Sequence, residues 1–90
     1  MRKEEIKEVI AQAKFLPAEL QNLILYNIVG SIDIEGFTKF RLEDVERTVN
    51  GKNQILSCKL LFKYEHEGVS KMVFVMSFAD NALKSLRWTH

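Results

Sequence analysis

Apolar and polar residues alternate most regularly between Gln54 and Phe78. Because successive side chains of a β-strand point to opposite faces, a period of two predicts strands. Two such runs flank the polar segment His66-Glu67-Gly68, so this stretch predicts an antiparallel hairpin around which the chain is built. The alternating positions are Leu56, Cys58, Leu60, Phe62 and Tyr64 in the first run, and Ser70, Met72, Phe74, Met76 and Phe78 in the second.

The length of the hairpin loop decides which residues of the second strand face the core. A two-residue turn at Glu67-Gly68 would pair His66 with Val69 and send Phe74 to the face opposite Phe62. A three-residue loop at His66-Glu67-Gly68 keeps both alternating sets on one face, with Gly68 in the left-handed conformation. We predict the three-residue loop, which pairs Glu65 with Val69, Phe62 with Met72, Leu60 with Phe74, Cys58 with Met76 and Leu56 with Phe78.

The Asn50-Gly51 pair predicts a second tight turn, because this dipeptide between strand-like runs is a strong hairpin signal. The preceding residues, Phe37 to Val49, also fit a helix through Leu42, Val45 and Val49, but the turn favours a strand. A tight turn pairs Val49 with Lys52, Arg47 with Gln54 and Val45 with Leu56. A β-bulge near Glu43-Asp44 is then needed to keep Phe40 and Leu42 in the core.

Helical spacing of apolar residues predicts two N-terminal helices. Arg2 to Lys14 is amphipathic, and Phe15-Leu16-Pro17 interrupts it, because proline suits the first turn of a new helix. The second helix is apolar around most of its circumference from Leu20 to Val29, which predicts burial on more than one side. The first helix, or a second copy of the protein, would supply the additional contact.

The end of the second helix stays open between three alternatives. Gly30 is a suitable C-terminal cap, whereas Ile24, Ile28 and Ile32 continue the four-residue spacing towards Glu35 and Gly36. Ser31 to Glu35 also alternates like a short strand. We favour the longer helix.

The C-terminal residues complete the predicted fold. Asp80 suits an N-cap, and the spacing of Leu83, Leu86 and Trp88 allows a short terminal helix or a turn, of which we predict the helix. The sequence therefore predicts a single α+β domain over residues 1–90, with two N-terminal helices packed on one face of a three-stranded antiparallel β-meander and a short C-terminal helix.

Composition narrows the setting of this domain. The 90 residues are 47% apolar and 28% charged, with a net charge of +1, so no overall attraction to nucleic acid or anionic membrane is encoded. Cys58 is the single cysteine and is expected in the core. Met1 to Glu5 lacks the apolar run of a signal peptide, and no stretch reaches the roughly 18 apolar residues of a membrane span. We expect a cytoplasmic protein with no membrane contact.

The residues that usually carry chemistry form no recognisable motif. His66 lies in a predicted loop, His90 is the last residue, and neither Gly30 nor Gly36 belongs to a phosphate-binding loop. Glu65-His66-Glu67 lacks the second ligand cluster that a zinc site requires. We therefore expect no enzymatic activity, no cofactor and no metal site.

The outer face of the predicted sheet is the candidate site. In the predicted register Leu61 lies beside Val73, Lys63 beside Lys71 and Lys59 beside Val75, with Lys39 and Arg41 nearby. This arrangement predicts an aliphatic centre with a basic margin, suited to a partner with acidic residues, unless the terminal helix covers it. The predicted partner-binding residues are Leu61, Val73, Lys63, Lys71 and Lys59.

One segment resembles a known class of protein. Leu16 to Gln21, followed by an apolar helix and Gly30, is similar to dimerising or packing helices in small bacterial and phage regulators. The similarity covers about a sixth of the chain and implies a regulatory role.

The sequence thus predicts a non-enzymatic protein-interaction or regulatory module. If the module self-associates, the Leu20 to Val29 helix is the predicted contact. The alternative is a nucleic-acid-binding domain that contacts phosphates through the basic sheet face. In the predicted register no aromatic side chain faces outward to stack on bases, which makes this alternative the weaker one.

Overall fold

A four-stranded antiparallel sheet in the order β1-β2-β3-β4 carries the two helices on one face. The structure is a computed structural model that describes residues 1–52, 55–78 and 83–89. Its elements are α1 (Lys3–Ile10), α2 (Ala18–Ser31), a 3₁₀ turn (Ile34–Gly36), β1 (Phe37–Val49), β2 (Ile55–His66), β3 (Val69–Phe78) and β4 (Leu83–Thr89). Two helices and an antiparallel sheet confirm the α+β class.

The predicted short C-terminal helix is wrong, and the sheet has four strands where three were predicted. Leu83–Thr89 is strand β4, which pairs with β3 so that Leu86 lies opposite Val75 and Trp88 opposite Val73. Without β4, the described edge of β3 would expose a row of unpaired backbone groups, and pairing satisfies them. The predicted N-cap, Asp80, lies outside the described residues.

Both helices begin near the predicted positions. α1 ends at Ile10, earlier than predicted, and backbone hydrogen bonds continue as turns up to Leu16. Pro17 precedes α2 with φ −59°, and the Gln21 side chain donates to the Leu16 carbonyl at 3.0 Å, which secures the new helix at its start. The break predicted at Pro17 is confirmed.

The preferred extension of α2 to Glu35 is wrong. The helix passes through Gly30 and ends at Ser31, since Ile32 is extended with φ −151° and ψ 152°. The Asp33 carboxylate accepts the Glu35 backbone N–H at 3.1 Å and starts the 3₁₀ turn. A side-chain acceptor at this point supports a turn in place of continued helix.

Burial within one chain accounts for much of the apolar circumference of α2. Leu20, Ile24, Leu25 and Ile28 are buried against α1 and the sheet. Leu23 and Tyr26 stay exposed, at 38% and 61%, and Lys3 approaches the Tyr26 ring at 4.6 Å. Leu23 and Tyr26 are therefore the large apolar side chains that α2 exposes.

Stacked aromatic rings fill the inner face of the sheet. The Phe37 ring lies 4.5 Å from that of Tyr64, and Phe40 lies 5.1 Å from Phe62. Burial raises the pKa of the Tyr64 hydroxyl above its ordinary 10.0, so this group stays neutral inside the core. Cys58 is also buried in this core, as predicted.

The predicted bulge is confirmed, but the predicted two-residue connection between β1 and β2 is too short. The register shifts between Leu42 and Asp44, so Phe40 is buried and Leu42 half-buried on the inner face. Val45 pairs with Leu60 and Val49 with Ile55, so the connection covers residues 50–54. The Asn50 side chain accepts the Lys52 N–H at 2.9 Å, a local turn that Asn forms without a two-residue hairpin.

The predicted three-residue loop between β2 and β3 is wrong. His66 pairs with Val69, and the turn consists of Glu67 and Gly68, with φ 52° and 79°. Positive φ at both central residues is the requirement of a type I′ turn, whose twist matches that of the flanking strands. The whole β3 register moves by one residue as a result.

The corrected register places small side chains under the helices. Phe62 pairs with Val73 and Leu60 with Val75, and both valines are at most 1% exposed. The inner face already holds large rings on β1 and β2, so further large side chains from β3 would overpack it. Valine on β3 therefore lets the helices approach the sheet closely.

The turn makes a direct prediction for stability. Gly68→Ala should lower the free energy of unfolding by about 1 to 2 kcal/mol, because alanine is strained at positive φ. Among the described residues, no heavy atom apart from the two chain neighbours lies within 4 Å of the position a Cβ would take at Gly68, so the effect is conformational and not steric. Urea denaturation measures it.

Gly51→Ala is the matched control, since Gly51 is equally open and has no positive φ. It should leave stability unchanged or slightly raised. Equal losses in the two variants would contradict the type I′ turn.

Candidate functional site

The face of the sheet opposite the helices carries a cluster of partly exposed apolar side chains. Leu61 on β2 lies beside Phe74 on β3, and Met72, two residues before Phe74, lies on the same face. None of the three belongs to the helix-covered core, and Met72 is 38% exposed. We call these three residues the outer patch. Its position follows from strand alternation, because their neighbours Leu60, Val73 and Val75 point to the core.

Charged side chains surround the outer patch on several sides. The Lys59 ammonium group lies 5.5 Å from the centre of the Phe74 ring, a cation–π contact. Lys63 pairs with Met72, Asp44 with Leu61, and Arg87 with Phe74 across the strands. The margin therefore has both signs, with Asp44 on β1, Lys59 and Lys63 on β2, and Arg87 on β4.

Two ion pairs lie on the same face, near the start of β1. Arg41 contacts Glu43 at 3.0 Å, and Lys39 contacts Glu65 at 3.6 Å. These side chains are well exposed, so each pair contributes on the order of 0 to 1 kcal/mol. Two of the cations predicted beside the site are thus partly neutralised by local carboxylates.

Two shallow cavities lie side by side on the outer patch. One of about 130 Å³ is lined by Asp44, Glu46, Lys59, Leu61 and Phe74. The other, of about 170 Å³, is lined by Lys59, Phe74, Ser85 and Arg87. Phe74 and Lys59 form the ridge between them. Both are smaller than the roughly 300 to 1,000 Å³ of a typical small-molecule pocket, so their shape favours surface contact.

The structure places three of the five predicted site residues on this face. Leu61, Lys59 and Lys63 face outward as predicted. Val73 does not, because it is fully buried opposite Phe62, and Lys71 pairs with Tyr64 on the inner side. The predicted pairs of Leu61 with Val73, Lys63 with Lys71 and Lys59 with Val75 are wrong by one residue.

Sequence reasoning assigned Phe74 and Met72 to the core. Both alternate sets of β3 are apolar, with Met72 and Phe74 in one and Val73 and Val75 in the other. A hydrophobic pattern cannot choose between such sets. The turn length could have done so, because the corrected register requires only the common two-residue hairpin at Glu67-Gly68.

Elsewhere on the described surface, a broad and open concavity of about 730 Å³ lies between residues 1–5 and residues 32–35. The Met1 amino group donates there to the Ile34, Glu35 and Phe37 carbonyls. Within the described ranges, no group of three or more His, Cys, Asp or Glu side chains could hold a metal ion. In the same residues, no helix has the length and apolar character needed to cross a membrane.

Comparisons with protein-family models, curated proteins and solved structures gave no match to this chain. The outer patch is therefore interpreted from its own geometry.

The two faces of β3 predict opposite responses to charge. Val73→Lys should unfold the domain or cost several kcal/mol, because it buries an unpaired ammonium group among the aromatic rings. Phe74→Lys should change the free energy of unfolding by no more than about 1 kcal/mol, since position 74 borders solvent. Circular dichroism with urea denaturation measures both variants, and the reverse order would contradict the register.

Proposed function

We propose that this chain is a non-enzymatic protein-interaction module that binds its partner through the outer patch. One observation carries the proposal: both helices cover one face of the sheet, and Leu61 and Phe74 are partly exposed on the other, where no described helix lies. Grouped, partly exposed apolar side chains with a polar margin are typical of interaction surfaces. A regulatory role in the cytoplasm belongs to the same proposal, supported by the resemblance of the α2 segment and by the single buried cysteine.

The chemistry of the patch defines the partner it fits. Phe74 and Met72 offer aromatic and thioether surface, both enriched at protein interfaces. Lys59, Lys63 and Arg87 favour carboxylates at the partner's rim, whereas Asp44 favours a cation on the β1 side. The sequence predicted an acidic partner. We now expect a partner that presents an apolar centre flanked by charges of both signs.

Photo-crosslinking inside the cells that make this protein tests the proposal. A photoreactive amino acid at position 63, beside Met72, should form a defined protein adduct, whereas the same group at position 26 on α2 should not. Position 26 is a suitable control because Tyr26 is 61% exposed and lies on the helix side.

A second substitution separates specific binding from random contact. Phe74→Glu should remove the adduct at position 63, because a carboxylate at the centre of the patch opposes apolar contact, and Tyr26→Glu should leave it intact. Circular dichroism confirms that each variant is folded. The proposal fails if position 63 gives no adduct, or if the adduct persists in Phe74→Glu.

The second candidate function is phosphate-directed nucleic-acid binding. It gains one observation from the corrected register, which places the Phe74 ring outward beside Lys59, where a base could stack. Asp44, Glu46 and Glu65 lie on the same face and repel phosphates. We therefore rank it below protein binding.

Fluorescence anisotropy with a labelled single-stranded RNA distinguishes the two candidates. Protein binding predicts no measurable RNA affinity even at low salt. A nucleic-acid function instead predicts binding that weakens steeply with added salt and is lost in Phe74→Ala. That second result would replace the first proposal.

A further inference from the structure

One of the cross-strand rows on the outer face has an ordered chemistry. Asp44 on β1 pairs with Leu61 on β2, Leu61 with Phe74 on β3, and Phe74 with Arg87 on β4. The row therefore runs from acid to aliphatic to aromatic to base across the whole sheet. Both apolar members are half-buried, and both charged ends are exposed.

The two charges of this row cannot satisfy each other within one chain. Three strand spacings separate them, or about 14 Å. In the part of the chain that the structure describes, neither Asp44 nor Arg87 forms an ion pair, although the Asp44 carboxylate accepts the Val45 N–H at 2.8 Å. An acid and a base thus stand free at opposite ends of an apolar strip.

A second copy of the chain complements this row when the two copies are related by a 180° rotation. The rotation axis runs parallel to the strands and lies between the two sheets. This rotation reverses the order of the strands, so β1 of one copy lies over β4 of the other. Asp44 then faces Arg87 of the partner subunit, and Leu61 faces Phe74 of the partner subunit. The opposite end repeats both contacts, as a closed two-fold interface requires.

The charge pattern also selects this axis over the other face-to-face arrangement. A two-fold axis perpendicular to the strands would place β1 over β1 and β4 over β4. Asp44 would then face its own copy, as would Arg87, and like charges would repel. Of the two axes, only the one along the strands brings Asp44 and Arg87 together, in the aligned packing that β-sandwiches adopt at roughly 30°.

The size of the face suits a reversible dimer. The strands contain 13, 12, 10 and 7 residues. At about 3.3 Å rise and about 4.8 Å spacing their outline covers about 670 Å². A standard interface buries about 800 Å² per partner, so this one lies near the lower end of stable interfaces. We expect an interface of this size to associate reversibly in the concentration range of ordinary solution experiments.

We propose that the partner of the outer patch is a second copy of this chain, in a face-to-face, two-fold sandwich closed by Asp44 and Arg87. This inference rests on the proposed function, because it names the occupant of that surface. It differs from the sequence-based expectation of self-association through the Leu20 to Val29 helix. On α2, exposed Leu23 and Tyr26 offer apolar contact without a complementary charge pair.

Sedimentation velocity over a roughly hundredfold range of concentration tests the sandwich. The wild-type chain should shift from monomer to dimer as concentration rises. Asp44→Arg alone and Arg87→Asp alone should each raise the dissociation constant at least about tenfold, because each sets like charges against one another at both ends. Far-UV circular dichroism establishes that both variants are folded.

Mixing the two single variants gives the decisive result. An equimolar mixture of Asp44→Arg and Arg87→Asp should restore the dimer, since opposite charges meet again at both ends of the mixed pair. The double variant Asp44→Arg/Arg87→Asp should also dimerise by itself. An interface with the axis perpendicular to the strands predicts a different pattern: each single variant dimerises about as weakly as the wild type, and only the mixture binds more tightly than the wild type.

Three outcomes overturn the inference. The chain could stay monomeric at the highest concentration, or the mixture could fail to recover, or the dimer could be lost in Leu23→Glu/Tyr26→Glu while resisting both charge reversals. A monomeric chain that still gives the Phe74-dependent adduct with another protein would remove the second copy and retain the proposed function. Loss of that adduct would remove the proposed function itself.

Discussion

The turn at Glu67 and Gly68 is the constraint on which the rest of the structure depends. Both residues have positive φ, so two residues suffice to reverse the chain and His66 meets Val69. Every later pair of β2 and β3 follows from that alignment. Since a shift of one residue exchanges the two faces of a strand, this turn sets the register in which Val73 faces the helices and Phe74 faces away.

The inner face shows why that choice is compatible with a packed core. Large rings on β1 and β2 stack within about 5 to 6 Å of one another, and the helices add isoleucine and leucine side chains above them. Val73 and Val75 complete this layer with little volume. Phe74 in the same place would demand space that a close-packed interior does not have.

The same register gives the protein its candidate site. Larger apolar side chains of β3 go to the outer face, where Lys59, Lys63, Asp44 and Arg87 surround them. The net charge of +1 creates little long-range attraction, so recognition here depends on short-range order. Acid at one edge of the sheet and base at the other make the surface directional. Because this face is shallow and carries charges of both signs, it is better suited to contact another protein surface than to enclose a small ligand.

Local signals in the sequence determined a large part of this architecture. Alternation was sufficient to predict β2 and β3, and Pro17 to predict the break between the helices. The bulge beside Asp44 followed from the need to keep Phe40 in the core. These features depend on a few neighbouring residues, whose backbone preferences act wherever the segment lies. Leu61, Lys59 and Lys63 were placed correctly because β2 alternates clearly between apolar and polar positions.

Only the tertiary structure decided the faces of β3 and the state of the C-terminal segment. Both alternate sets of β3 are apolar, so its hydrophobic pattern has no preferred side, and the turn and the space beneath the helices made the choice. For Leu83–Thr89, pairing with the edge of β3 outweighed a weak helical spacing, since backbone groups of an edge strand gain partners that the segment alone cannot supply. The pairing of Leu83–Thr89 depends on contacts between distant residues, which no local pattern records, whereas the faces of β3 were open to sequence reasoning only through the length of the turn.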